Sequence, residues 1–418
     1  MNRTIFLFFT LIFTSQLAFA WGEKGHHSVG YTAAVISDDY LTPEEKAAIG
    51  LAFRARPHQM GHLANMPDIS WKDSRRTNVV KFNRPNHYFD AEILVGPMLD
   101  KKGQPTLAYS EEYLSKVRNL ERDIDKLRQM YDGKPNTLPG AATSENKKTI
   151  NVYFVSGTNP WRVQDLYNSM VEAFKCAAGK PKLDKKDRKP FISPLKIADN
   201  SPVYPYYKCT KNTSRLEDIY AALVFGGVMG HFVGDITQPH HASADYDGWA
   251  TGQGGLHSYF EDFMVHFLPE NLIGEVTTKA KTKREKNWKK FAPPKGTAFW
   301  AVQLMLNLTA DSLSKMQKLR DIDRKFALLE EGEKITFGGD EGKVKAKRRP
   351  YNDPKVLKGY HDFVIEQLSL SSTMLAGIWM EAWREGGRPD LSEWDLITVP
   401  YPMDVPFLWP GYSKPYWK

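Results

Sequence analysis

Apolar residues recur along this chain at spacings of three and four far more often than at two, the mark of helices with one buried face. Thr42-Pro43-Glu44-Glu45 forms a capping box with proline at the first helical position, and predicts a helix running through about Phe53. Ser110 caps a second stretch, in which Tyr113, Val117, Leu120, Ile124 and Leu127 share a face. Residues 161–177 read as a further helix. Leu216 to about Thr237 reads as an apolar, buried helix marked by Ile219, Leu223, Val228 and Phe232. Phe299, Val302, Leu306, Leu313 and Met316 mark another, and Phe363 to Trp383 the last long one. Period-two runs are few and no internal repeat is present. The expected fold class is all-α, a single large helical domain with long inserts and a C-terminal extension.

Three basic segments containing Pro or Gly interrupt the periodic stretches, at 179–190, 278–295 and 341–350. Runs of like charge are solvated surface as a rule, so each is expected to be a loop. The last 20 residues are rich in Pro, Tyr and Trp without periodicity, and are expected to pack irregularly over the body.

Length alone allows two or three domains or one large domain with inserts, for 418 residues. An apolar share of 41% with 25% charged residues excludes wholesale disorder. The formal net charge of +8 invites an anionic partner: nucleic acid, an anionic membrane surface or a phosphate ester. It does not choose among them. At the start of the chain, Arg3 precedes an apolar run from Ile5 to Phe13 broken only by Thr10, and Ala18-Phe19-Ala20 follows. This is the three-part pattern of a signal peptide over residues 1–20, too short to span a bilayer; an uncleaved anchor or a buried strand is the alternative. Cleavage makes Trp21 the N-terminus of a secreted or periplasmic protein covering residues 21–418. The two cysteines, Cys176 and Cys209, exclude a disulfide-rich scaffold and a Cys-based zinc module. Outside the cytoplasm they can pair as a disulfide, or remain two buried thiols.

The candidate chemistry lies in histidines and carboxylates. His231 and Asp235 stand four apart on the apolar helix and so share a face. His241 follows Pro239, where that helix should end. His257 and Glu261 form a second pair at the same spacing, Asp68 and His87 lie upstream, and His26 comes soon after Trp21. Imidazole and carboxylate donors without thiolate suit zinc and its neighbours. Clustered cations neutralise a phosphodiester and bring the deprotonation of water close to pH 7. Taken singly, each pair is more often a surface pair or a hydrogen-bonded core pair. His58 and His62 share the spacing and read as structural or exposed; His27, His240, His266 and His361 are left over.

Taken together, these words resemble the superfamily of trinuclear-zinc phospholipases C and fungal single-strand-specific nucleases. The resemblance rests on Trp21-Gly-Glu-Lys-Gly-His26, Asp68, Asn86-His87-Tyr-Phe-Asp90, His231-Phe-Val-Gly-Asp235-Ile-Thr-Gln-Pro-His-His241 and His257-Ser-Tyr-Phe-Glu261. They occur in the family's order over residues 21–261, within a ligand-bearing core of 21–265 followed by inserts and an extension over 266–418. The resemblance implies three zinc ions in a cleft between helices. One would take Asp68, His87, His231 and Asp235. A second would take His241, His257 and Glu261. The third would take the free amine and carbonyl oxygen of Trp21, His26 and a bridging Asp235. It also implies attack of water on phosphorus, with Asp68 as general base or orienter.

The two branches of the family are mixed here. The spacing from Trp21 to His26 and the His231–His241 word look like the nucleases, whereas Glu261 stands where nucleases usually carry aspartate. Trp71 replaces the nucleases' phosphate-holding arginine and offers an aromatic surface unless it is core. Tyr88 and Asp90 stand where the nucleases stack and hydrogen-bond a base. Lysines and aromatics in the extension suit a lipid–water interface. The resemblance therefore implies a secreted zinc phospholipase C acting on phosphatidylcholine-like lipids, as a monomer with peripheral membrane contact. A single-strand-specific nuclease acting on nucleic acid is the alternative, and a non-catalytic zinc-binding protein the third reading.

Overall fold

The computed structural model describes residues 21–72, 77–103, 106–138, 148–182, 191–192, 212–334, 344–392 and 397–398. Residues 1–20, read as a signal peptide, and the last 20 residues lie outside them. In chain order the α-helices are α1 (Gly22–Ile36), α2 (Pro43–Ile49), α3 (Pro57–Ile69), α4 (Thr77–Asn83), α5 (Glu92–Val95), α6 (Glu111–Arg118), α7 (Ile124–Tyr131), α8 (Asn159–Ala178), α9 (Arg215–Thr237), α10 (Leu256–Ser258), α11 (Val265–Phe267), α12 (Leu272–Phe291), α13 (Trp300–Ile322) and α14 (Pro354–Glu385). Strand is minor among the described residues: two-residue and three-residue segments pair as Phe191–Ile192 with Ile397–Thr398, and Leu328–Glu330 with Lys347–Arg348. The chain is one large, mostly helical domain, as the periodicity predicts.

The organising element is α9. Its capping box is complete, with Ser214 accepting from Glu217 N and the Glu217 carboxylate accepting from Ser214 N. Nearly every residue along it is buried, because α1, α3, α8 and α14 pack around it. By length and composition α9 and α14 could cross a membrane, but their apolar windows are 100% and 94% buried inside the protein. A helix that ends in the core leaves four carbonyls without helical partners. Here each finds one. Trp21 Nε1 donates to Gly234 O (2.7 Å), Gln238 N to Asp235 O (2.9 Å), Ser312 Oγ to Ile236 O (2.6 Å) and Gln367 Nε2 to Thr237 O (2.5 Å). The end of α9 that carries Asp235 is thus tied to the start of α1 and to α13 and α14.

Glycine permits the close approaches. A Cβ on Gly30 of α1 would fall 2.4 Å from Met60 O of α3. One on Gly234 would fall 3.0 Å from His26 Nδ1, so the absence of a side chain there makes room for the His26 ring.

Three expectations change. The first helix ends at Ile49 rather than about Phe53, because Gly50 takes a φ of 58°. The stretch from Ser110 divides into α6 and α7, each with its own cap, Ser110 and Asp123. Most of the basic segment 278–295 is not a loop: it forms the second half of α12, whose Leu272, Val276 and Ala280 are buried at spacings of four. The expected disulfide is consistent with Cys176 being disulfide-bonded rather than a free thiol. Cys176 lies near the end of α8, and Cys209 lies outside the described residues.

Candidate metal centre

Each functional side chain enters the site from a different piece of backbone. His26 comes from the second turn of α1, Asp68 from the last turn of α3, and His87 from the short 3-10 turn Arg84–His87. His231 and Asp235 project from one face of α9. Pro239 breaks that helix, and the following 3-10 turn brings in His241. His257 sits in α10 and Glu261 in the π-helical segment Tyr259–Met264, a distortion often found at functional sites.

Three groups of donor atoms result, each with its atoms within 4.8 Å of one another and all its residues buried: His26, His231 and Asp235; Asp68, His87 and His231; His241, His257 and Glu261. His231 belongs to two of them. Its Nε2 lies 2.9 Å from His87 Nδ1, 3.4 Å from Asp235 Oδ2 and 3.5 Å from Asp68 Oδ1. The His26 ring stacks on the His231 ring at 3.8 Å, and His26 Nε2 lies 3.3 Å from Asp235 Oδ1. His241 Nε2 and His257 Nε2 stand 3.1 Å apart, and lie 3.2 and 2.8 Å from the two Glu261 oxygens.

Surrounding groups fix which ring nitrogen faces inward. His231 Nδ1 donates to Ala64 O (2.8 Å), His241 Nδ1 to His87 O (2.7 Å) and His257 Nδ1 to Tyr246 O (2.7 Å). With the proton on Nδ1, each Nε2 presents a lone pair to the cluster, the tautomer a metal ligand needs. Gln238 Nε2 donates to Glu261 Oε2 at 2.7 Å, and the Asn83 side-chain amide lies 2.8 Å from His87 Nε2.

A test of fit follows from the hydrogen bonds that are missing. His26 Nδ1 and Nε2, Asp68 Oδ2 and Asp235 Oδ1 are buried and make no hydrogen bond, while Asp68 Oδ1 and Glu261 Oε1 meet Lys72 and His257 as ion pairs. Buried polar atoms are normally paired, and an unpaired group costs about 1–3 kcal/mol. His241 Nε2 and His257 Nε2, only 3.1 Å apart, would repel if both were bare, and a cation between them would remove that repulsion. The residues therefore fit divalent cations with imidazole and carboxylate ligands.

Electrostatics point the same way. Burial, reinforced by neighbouring positive charge, holds His26, His87 and His231 well below the usual histidine range, so they are neutral ligands at pH 7. Burial and the Asp68 charge push Asp235 well up. Burial would raise Glu261 too, but His257 and His241 outweigh it and hold the carboxylate below its ordinary range.

The sequence also proposed substrate-contacting residues. Trp71 is fully buried, with the Arg162 guanidinium 5.9 Å over its ring, so it is not an exposed aromatic surface. Tyr88 and Asp90 are half-buried beside His87; the Tyr88 hydroxyl donates to Phe154 O at 3.0 Å. Trp21 is buried against Phe260 with its indole bonded to α9. Sequence reading missed Lys72, whose ammonium lies 2.5 Å from Asp68 Oδ1. The signal was present, an Asp–Lys pair at i, i+4. Asn83 and Gln238 carried no such signal, because an amide that holds a ligand looks like any other amide.

No protein-family model matches the chain, and no curated protein matches it. The site therefore rests on its own geometry.

Proposed function

We propose that the protein is a zinc-dependent phosphodiester hydrolase of the phospholipase C type, with the three clusters holding up to three zinc ions. The observation that carries this is the convergence of three buried imidazole–carboxylate groups, with inward atoms of His26, Asp68 and Asp235 lacking hydrogen bonds. Bound zinc ions would supply Lewis-acid stabilisation of charge on a phosphoryl group and ease the deprotonation of water. His26, His87, His231, His241 and His257 with Asp68, Asp235 and Glu261 would hold them, and the family's pattern adds the main chain of Trp21.

Asp68 suits the role of general base. It retains 7% exposure, whereas Asp235 and Glu261 retain none, so it alone of the three carboxylates can meet an incoming water. Lys72 beside it adds a fixed positive charge at the same edge.

The lipid reading is supported by an aromatic group next to the ligands. The Tyr351 ring stacks on Phe263 at 5.0 Å and on Phe267 at 4.8 Å, with Phe267 partly exposed. Lys347 and Arg349 come shortly before Tyr351 in the sequence. Amphipathic aromatics with cations suit a lipid–water interface. The nuclease reading keeps Tyr88 and Asp90 as its supports, but it lacks a phosphate-holding arginine at Trp71. Secretion and cleavage before Trp21 belong to the same proposal.

The test is a side-by-side assay of zinc-loaded protein starting at Trp21, on phosphatidylcholine vesicles and on single-stranded DNA. Release of phosphocholine with little nicking is expected. Faster hydrolysis of DNA would replace the substrate and keep the hydrolase; activity on neither after confirmed zinc loading would sink both.

A further inference from the structure

A second histidine group stands outside the buried centre. His58 and His62 lie one turn apart on α3, the i, i+4 spacing at which two imidazoles chelate one ion from a rigid base. The neighbouring helix supplies a third. His27 of α1 lies 5.5 Å from His58, ring centre to ring centre. It reaches that place because residue 61 is glycine: a Cβ there would fall 2.7 Å from His27 Cδ2 and 2.9 Å from His27 Nε2. The His27 ring thus rests on bare helix backbone beside His58, near enough to His62 for the His62 charge to act on it. Tyr31, one turn further along α1, sets an edge-on ring 4.9 Å from His58.

We propose that His27, His58 and His62 form a separate, solvent-accessible binding site for a borderline divalent transition ion such as zinc or nickel. Two imidazoles bound to one tetrahedral zinc, with Zn–N of about 2.0–2.1 Å, have ring centres roughly 5 Å apart, close to what His27 and His58 show. A donor set of three imidazoles selects zinc, nickel or copper over magnesium or calcium. His58 is exposed and His27 and His62 are half-buried, so the site opens to solvent, and rotation of the His58 ring can close it on an ion. His26 and His27 are consecutive on α1 and point about 100° apart, since a helix turns that much per residue. His26 therefore serves the buried centre and His27 this one. An ion here would clamp α1 to α3, the helices that carry His26 and Asp68, without entering the cleft. The proposal does not depend on the hydrolase reading.

The test measures nickel bound per chain by equilibrium dialysis and metal analysis, on the untagged full-length protein. Wild type is compared with His58→Ala, with His58→Ala/His62→Ala and with Asp235→Asn. The double variant should lose one equivalent and its retention on a nickel-chelate column, with its circular dichroism unchanged. His58→Ala should weaken that equivalent at least tenfold. Asp235→Asn should keep it. Because His58 is exposed, His58→Gln serves as the second variant where the double one fails to fold, with the same expected weakening. If the double variant binds as much nickel as wild type, or the equivalent disappears only in Asp235→Asn, the site is overturned.

Discussion

His231 bears more of the centre than any other residue, because its single inward nitrogen serves two donor groups. Replacing it by alanine should remove most of the metal held by both, whereas Glu261→Gln should affect only the His241 group. A subtler change separates ligands from the groups that hold them. Gln238 touches no shared donor point itself, yet its amide fixes one Glu261 oxygen and accepts from His240 N. Gln238→Ala should therefore weaken metal binding at that group by about 10–100-fold, the usual effect of losing such a support. Metal analysis after dialysis against graded free zinc reads both outcomes; an unchanged affinity in Gln238→Ala would mean that Glu261 needs no orienting partner. The ligands themselves were legible because each belongs to a short word with helical spacing. Gln238, Asn83 and the carbonyl of Ala64 were not, because their role depends on which strangers in sequence become neighbours in space.

Helix contacts position those residues, and two of them give tests. Gly30 lies against the carbonyl of Met60, so Gly30→Ala should force α1 and α3 apart. Overpacking of this kind costs typically 1–3 kcal/mol, which urea unfolding will read; a neutral effect would show that the contact relaxes freely. The second contact ties α2 to α14. Arg384 Nε and Nη2 each donate to a Glu45 oxygen at 2.8 Å. This pairing, with the capping bond from Thr42 N, lowers the Glu45 carboxyl to about 2. A carboxyl lowered on folding contributes stability above its unfolded pKa, near 4.5, and that contribution is lost as pH falls toward 2. Glu45→Gln should destabilise the protein by about 1 kcal/mol at pH 7 and by progressively less toward pH 2, since the pair is partly solvated. An equal effect at both pH values would rule out the charge as its source. The helix at 42 was legible from its capping box. Its early end was not, because Gly50 reads as an ordinary helix weakener until its positive φ is seen. The second half of α12 was hidden by its lysines, although Leu272, Val276 and Ala280 already held the helical period. Charge run and buried stripe coexist on one helix when the stripe is narrow.

At the scale of the whole molecule, the centre gathers several unpaired buried donor atoms beside a helix end whose carbonyls are all paired. The end of α9 is closed by side chains from the start of α1, α13 and α14, so no backbone carbonyl there is left without a partner. Beside it, four buried atoms of His26, Asp68 and Asp235 have no hydrogen bond. Donor atoms left bare beside so fully paired a helix end are explained when cations complete them. Folding and metal binding are then linked, because the unfolded chain does not hold the ligands together. Each site filled at a free concentration 100 times its dissociation constant would add about 2.7 kcal/mol to the unfolding free energy. Thermal unfolding of the zinc-loaded protein should therefore occur at a clearly higher temperature than that of the chelated protein. Returning zinc should restore it, and His231→Ala should show the smaller shift. If stripping the metal, verified by analysis, leaves the unfolding temperature where it was, the three groups are a tolerated polar core. The hydrolase reading would then lose its foundation, while the helical architecture around α9 would stand.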